Sequence, residues 1–222
     1  MDKNFKTDLL VIKEKEHKDA EMYIKAIKKG AAERKKEVCV LDLNDGVESE
    51  YINTMLKGCR GFIVANPIEN KAQIWDKAIH FTNKDIDNFT SISSFKNCTV
   101  KVVESILNKE YKGLEYKDIT VIGRNLGKDI ANALENMNAT VTLCHSLTKD
   151  LSYHTQGADV VITCAKAGLK LLNTNMIQDN ALVIDIGWNI EGDFKNKLYT
   201  ASEVGKMNID NIFKHLDKVV QY

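Results

Sequence analysis

The segment VIGRNLGKDIANAL, residues 121–134, runs an apolar strand pattern through two glycines and into a helical pattern. Glycine lets a backbone approach a pyrophosphate closely, and the N–H groups and dipole of a following helix attract the anion. Gly123 and Gly127 hold the positions for that chemistry, with Asn125 between them and Arg124 and Lys128 adding positive charge. The spacing is short, and such a turn serves equally as a plain strand-to-helix connection. The next apolar run ends in Cys144-His145-Ser146 and carries no Asp or Glu to hold a ribose 2′-hydroxyl. An arginine, a serine and a histidine at that edge suit a 2′-phosphate instead, which favours NADP as the nucleotide, with NAD the alternative. The five cysteines (Cys39, Cys59, Cys98, Cys144 and Cys164) contain no CxxC pair and the five histidines do not cluster. No metal is expected, and the thiols read as reduced and buried.

Seven short runs rich in Val, Ile and Leu must position these residues: 8–13, 37–43, 61–66, 118–123, 139–145, 159–164 and 181–188. They are nearly continuous instead of alternating, as strands covered on both faces are. Between them lie helical stretches with apolar residues at three and four spacing, such as Ala20, Tyr23, Ile24, Ile27 and Ala31, or Ile130, Ala133, Leu134 and Met137. Alternation of this kind predicts a parallel α/β protein. The rhythm breaks between Asp85 and Lys117, which predicts two α/β lobes with a cleft between them, the second a Rossmann-like doubly wound parallel sheet. The expected limits are 1–115 for the first lobe and 116–205 for the second. A C-terminal helix, 206–222, is expected to open at Asn208 and pack across the lobes. The single proline, Pro67, ends a buried run and should shape a turn.

At 222 residues and 44% hydrophobic content the chain can bury one large core or two modest ones. Lys plus Arg and Asp plus Glu are both 31, so no net field draws it to nucleic acid or to a membrane surface. A small ligand is the better expectation. The N-terminal stretch has only a short apolar run between charges, too short for an export signal or a membrane span, and a cytoplasmic protein is expected.

VIGRNLGKDIANALENMNATVTLCHSLTKDLSYHTQGADVVITCAKAGL, followed by ALVIDIGWN, resembles the FolD family of methylenetetrahydrofolate dehydrogenase and methenyltetrahydrofolate cyclohydrolase enzymes. Members typically read VIGRS, then VGxP, then ATVTxCHSxT, a strand ending in VGxPG, and VIDVGIN. Upstream, DAEMYIKAIKKGAAE is similar to the family's SxxYVxxKxKA helix, GFIVANPIE to its GxxVQLPLP strand and NKDIDNFTSIS to KDVDGFxxxN. The likeness covers most of the chain from about residue 8, without the family's usual helix before the first strand, so a short and divergent member is implied. The resemblance implies a tetrahydrofolate derivative as partner, a homodimer, and one-carbon metabolism. In that chemistry a hydride leaves the methylene carbon for the nicotinamide, and water then attacks the methenyl cation. It carries Tyr23 and Asp87 over as catalytic-site residues, and Gly123, Arg124, Asn125, Gly127, His145, Ser146, Ala165 and Gly187 as nucleotide-binding ones.

Departures from the pattern are specific. The family lysine four residues after the tyrosine is Ile27, and its glutamine is Ala65. Lys28 and Lys25 lie roughly 140° and 160° out of line with Tyr23 on a helix. Asn88 replaces a glycine, AKAG replaces GKPG with Ala165 and Ala167, and TASEVGKMN stands for a proline- and glycine-rich loop. The glycine turn lacks two residues, and Asp129 stands where a proline would begin the helix, near the expected phosphate. Three readings follow: a working bifunctional enzyme, an NADP-dependent dehydrogenase without cyclohydrolase activity, and a non-catalytic paralogue that binds a folate, a nucleotide or a protein.

Overall fold

The computed structural model describes residues 7–14, 17–43, 47–69 and 71–220. The first six residues, part of the stretch read as lacking an export signal, and the last two of the expected C-terminal helix lie outside the described residues. The chain divides into two compact units, Met1–Cys98 with Ile209–Tyr222, and Thr99–Asn208.

In the first unit β1 (Thr7–Lys13), β2 (Val38–Asp42) and β3 (Cys59–Ala65) form a parallel sheet in the order β2-β1-β3. Successive strand side chains point to opposite faces. Leu9, Val11, Ile63 and Ala65 pack on one face with Ala20, Ile24, Ile27 and Ala31 of α1 (Lys18–Glu33) and with Ile212, Phe213 and Leu216. Leu10, Ile12, Phe62 and Val64 pack on the other with Ile52, Met55 and Leu56 of α2 (Ser49–Gly58) and Ile74 of α3 (Lys71–Ala78). Both faces are covered, so the strands read as unbroken apolar runs.

From Thr99 onward, α4 (Cys98–Glu110) belongs to the second unit, where its Val102, Val103, Ile106 and Leu107 pack on Ile119, Val121, Val160 and Ile162. This helix therefore shares the second core, although the break in rhythm placed the lobe boundary after residue 115. The strands β4 (Asp118–Ile122), β5 (Thr140–Cys144), β6 (Val160–Thr163), β7 (Leu182–Asp185) and β8 (Leu198–Tyr199) form a parallel sheet ordered β5-β4-β6-β7-β8. Strand β8 is too short to show in the sequence. After β5 the chain crosses back to the other side of β4, which makes a topological switch point beyond the carboxyl end of β4. The helices α5 (Asn125–Glu135) and α6 (Leu151–Thr155) complete the crossovers on the β5 side.

The final helix, α7 (Ala201–Lys218), begins well before Asn208. Thr200 and Glu203 form a capping box: Glu203 Oε2 accepts the Thr200 N–H at 2.9 Å and Thr200 Oγ1 accepts the Glu203 N–H at 3.3 Å. With no proline to stop it, the stretch aligned with the family's proline- and glycine-rich loop is helical from Ala201. Among the described residues no helix is long and apolar enough to cross a membrane.

Candidate functional site

At the switch point only Gly123 and Arg124 connect β4 to α5. Gly127, expected in a loop, is the buried third residue of the helix. A Cβ there would lie 3.3 Å from Leu143 Cδ1 and 3.4 Å from Cys164 Sγ, so this glycine brings α5 down onto the sheet. Asp129 likewise lies one turn inside the helix instead of at its start. A Cβ on Gly123 would fall 2.4 Å from Cys164 Sγ, so the thiol would have to move, and 3.0 Å from the Cys164 carbonyl oxygen, where the backbone would have to give by a few tenths of an ångström. Burial, with the Asp129 charge second, pushes the Cys164 thiol up to about 12, so it sits in the turn protonated. Asp129 is itself raised by burial. The N-cap residue Arg124 makes no side-chain cap and the first turn of α5 holds no acid, which leaves its N–H groups to attract an anion.

Arg124 and Ser146 meet: Arg124 Nη2 donates to Ser146 Oγ at 2.8 Å. The neighbouring His145 Nδ1 accepts the Leu147 N–H at 3.2 Å, which puts the proton of the neutral ring on Nε2. The His145 backbone is fixed by Thr148, whose Oγ1 accepts the His145 N–H at 3.0 Å. A guanidinium after β4, with a hydroxyl and a ring N–H after the adjacent β5, matches the acceptor oxygens of a phosphate monoester. Asn125 is the first residue of α5 and exposed.

The ends of β6 and β7 are tied by a buried polar network. Asp185 Oδ1 accepts from Thr163 Oγ1 at 2.9 Å, the Gly187 N–H at 3.2 Å and the Asn189 N–H at 3.0 Å. Asn189 Oδ1 accepts the Ala165 N–H at 3.1 Å, and its Nδ2 donates to the carbonyls of Lys166, Leu169 and Gly187. A Cβ on Gly187 would lie 2.5 Å from the Ala165 carbonyl oxygen, so the two expected contact residues do lie together. Trp188 between these clamps has φ +52°, a left-handed backbone for a bulky residue that costs about 1–3 kcal/mol.

In the first unit Tyr23 projects from α1 towards the turn 85–88. Burial raises its phenol well above the ordinary value, with the Asp87 charge and the Cys98 thiol adding. Asp87 Oδ1 accepts the Cys98 N–H at 2.7 Å at the start of α4, so one oxygen serves the helix while the carboxylate keeps acceptor capacity. Asp85 is the turn former, taking the N–H groups of Phe89 and Thr90 at 3.0 and 2.8 Å, and Asn88 adopts φ +56°. Ile27, one turn after Tyr23, is 0% exposed in the core, and Ala65 is 1% exposed at the end of β3. Lys25 and Lys28 are exposed on α1. Lys84 is engaged elsewhere, its Nζ donating to the carbonyls of Leu56, Lys57 and Cys59 at the end of α2. Behind Asp87 lies His215, unforeseen from residue patterns, whose Nδ1 donates to the Ile86 carbonyl at 2.9 Å and lies 3.5 Å from Cys98 Sγ. Among the described residues no group of three or more His, Cys, Asp or Glu is placed to hold a metal.

Burial pushes the Asp87 carboxyl up to about 6 from an ordinary 3.8, against the lowering effect of its hydrogen bonds from Cys98. The folded state therefore holds a proton that the unfolded chain releases, and this contribution to stability declines as pH rises from about 4 through about 6. Asp87→Asn should remove that decline. Denaturant midpoints of the two proteins measured across the window check it, and parallel curves would refute it.

Residues 97–220 match the family described as tetrahydrofolate dehydrogenase/cyclohydrolase, NAD(P)-binding domain. The bifunctional protein FolD of Caldanaerobacter subterraneus is 34% identical over 156 residues, 64% of this chain and 54% of that protein. The chain thus spans about half the length of such a curated relative. The FolD protein of Campylobacter jejuni is 29% identical over 233 residues, covering 96% of this chain and 79% of the relative. A crystal structure of the Campylobacter jejuni bifunctional enzyme FolD, methylenetetrahydrofolate dehydrogenase/cyclohydrolase, superposes with a TM-score of 0.78 at 25% identity, over 96% of this chain and 88% of that one. The family match takes in the glycine turn, the Arg124–Ser146 pair and the Asp185–Asn189 network, and the chain belongs to the tetrahydrofolate dehydrogenase/cyclohydrolase, or FolD, family.

Proposed function

We propose that this chain oxidises 5,10-methylenetetrahydrofolate with NADP and lacks the cyclohydrolase step that follows in its family. The observation that carries the second half is Ile27, sealed in the core where the family pattern has a lysine beside the tyrosine. Bound NADP supplies the hydride acceptor. Arg124, Ser146 and His145 hold its 2′-phosphate, and the first turn of α5 faces its pyrophosphate. Asp87 takes the amine edge of the pterin and Tyr23 orients the ring. Hydride transfer needs alignment of two bound molecules and no proton-handling side chain. Addition of water to the methenyl carbon needs a positioned base, whose loss costs about 10²- to 10⁴-fold. Family resemblance also supports a cytoplasmic homodimer.

Mixing the protein with 5,10-methylenetetrahydrofolate and NADP should reduce the nucleotide while 5,10-methenyltetrahydrofolate accumulates. No reduction with either NADP or NAD refutes the dehydrogenase reading. The 2′-phosphate site has a separate check. Arg124→Ala should weaken NADP about 10- to 100-fold in calorimetry, the worth of a charged hydrogen bond, and leave NAD nearly unchanged. Equal losses for both nucleotides would remove the assignment.

A second reading, a non-catalytic paralogue that binds folate, nucleotide or protein, is favoured by the helical start of α7 at Ala201 and by the Cys164 thiol lying against Gly123. Heat on titrating NADP or a folate, with no turnover, would decide for it.

A further inference from the structure

We propose that Trp188 is the ring platform of the nucleotide site and that it selects the oxidised, positively charged nicotinamide over the reduced ring. The inference rests on the nucleotide reading above. A dinucleotide lies across the switch point of a doubly wound sheet, with one nucleoside on each side. Arg124 and Ser146 occupy the β5 side. The second nucleoside accordingly lies beyond the carboxyl ends of β6 and β7, where Trp188 follows β7.

Three observations single out this residue. It is 53% exposed, and the chain's other tryptophan, Trp75, instead donates its ring N–H to the Thr90 carbonyl at 3.3 Å. Its φ of +52° is a conformation that bulky side chains avoid, and it persists because Asp185 accepts the N–H groups on both sides of it, those of Gly187 and Asn189. Gly168 donates its N–H to the Gly187 carbonyl at 2.9 Å, and a Cβ on Gly168 would meet nothing within 4 Å, so open space adjoins the loop that carries the indole. An exposed indole on a pinned backbone is the strongest aromatic partner for a flat cation. Oxidised nicotinamide is an aromatic cation, whereas the reduced ring is neutral and no longer aromatic. The indole therefore contributes to binding of one redox form and little to the other.

The experiment uses the full chain with Trp75→Phe, leaving Trp188 as the reporter. Titration with NADP should quench its emission, and 2′-phospho-ADP-ribose, which lacks the ring, should bind without quenching. Trp188→Leu should weaken oxidised NADP about tenfold by calorimetry, with NADPH and 2′-phospho-ADP-ribose near their original affinities, and Trp188→Phe should fall between. A thermal melt confirms that the variants are folded. Unchanged emission at saturating NADP, or a Trp188→Leu variant that retains the original ratio of oxidised to reduced affinity, overturns the platform. Absence of binding by any of the three nucleotides overturns the nucleotide site itself and the platform with it.

Discussion

Asp185→Ala is expected to lower the unfolding free energy by about 3–5 kcal/mol, because each buried donor left without its acceptor costs about 1–3 kcal/mol. Three donors converge on one carboxylate oxygen, from Thr163 Oγ1 and the N–H groups of Gly187 and Asn189. Asp185 is only 7% exposed, so water cannot fully replace it. Loss of the acceptor frees Trp188 from its strained backbone, which returns part of the cost. Asp185→Asn keeps one oxygen in place and should lose less than half as much. Urea unfolding followed by backbone circular dichroism measures both. A loss below about 1 kcal/mol for the alanine variant would show that the network is not what holds the ends of β6 and β7.

Restoring the family lysine should fail. Ile27 is 0% exposed among Ile24, Ala31, Ile63 and Phe213, so a lysine there lies in apolar surroundings. Burial of that kind lowers a lysine pKa by about 3–5 units, worth about 4–7 kcal/mol. The sign is opposite to that of a paired lysine. The penalty is full below the lowered folded-state pKa, about 5–7, remains about 4 kcal/mol at neutral pH, and shrinks as pH rises towards about 10.4, where the unfolded chain also loses its proton. Ile27→Lys should therefore be unfolded or nearly so at neutral pH and add nothing to methenyltetrahydrofolate hydrolysis. A stable variant with hydrolysis well above the buffer rate would show that α1 can turn this position towards Tyr23.

Much of the fold was legible because burial on both faces leaves a plain mark in composition. All seven apolar runs contain strands, from Thr7–Lys13 to Leu182–Asp185, and the parallel order follows from the helices between them. The differences have separate physical causes. Thr200 and Glu203 start α7 at Ala201 by reciprocal hydrogen bonds, while the apolar periodicity becomes regular only later. The helical pattern of residues 99–111 within the break does correspond to α4, and what stayed hidden is that it packs on strands that come after it in the chain. At the nucleotide turn, residue types showed the Arg124–Ser146 pairing, since both stand at strand ends that parallel order brings together. They could not show that Gly127 is inside the helix, because a glycine next to a strand end reads as loop. His215 was invisible for a different reason, being distant in sequence from the Ile86 carbonyl it serves.

The contact between Gly123 and Cys164 changes what a glycine fingerprint records. A methyl group at 123 would collide with a sulfur atom and crowd a carbonyl oxygen of this same chain, so packing disfavours a side chain there whether or not a nucleotide ever arrives. Selection on folding alone would preserve it. In a lineage drifting away from its cofactor, that glycine would be among the last letters of the motif to change, and its persistence would date the packing of the sheet and not the loss of the ligand.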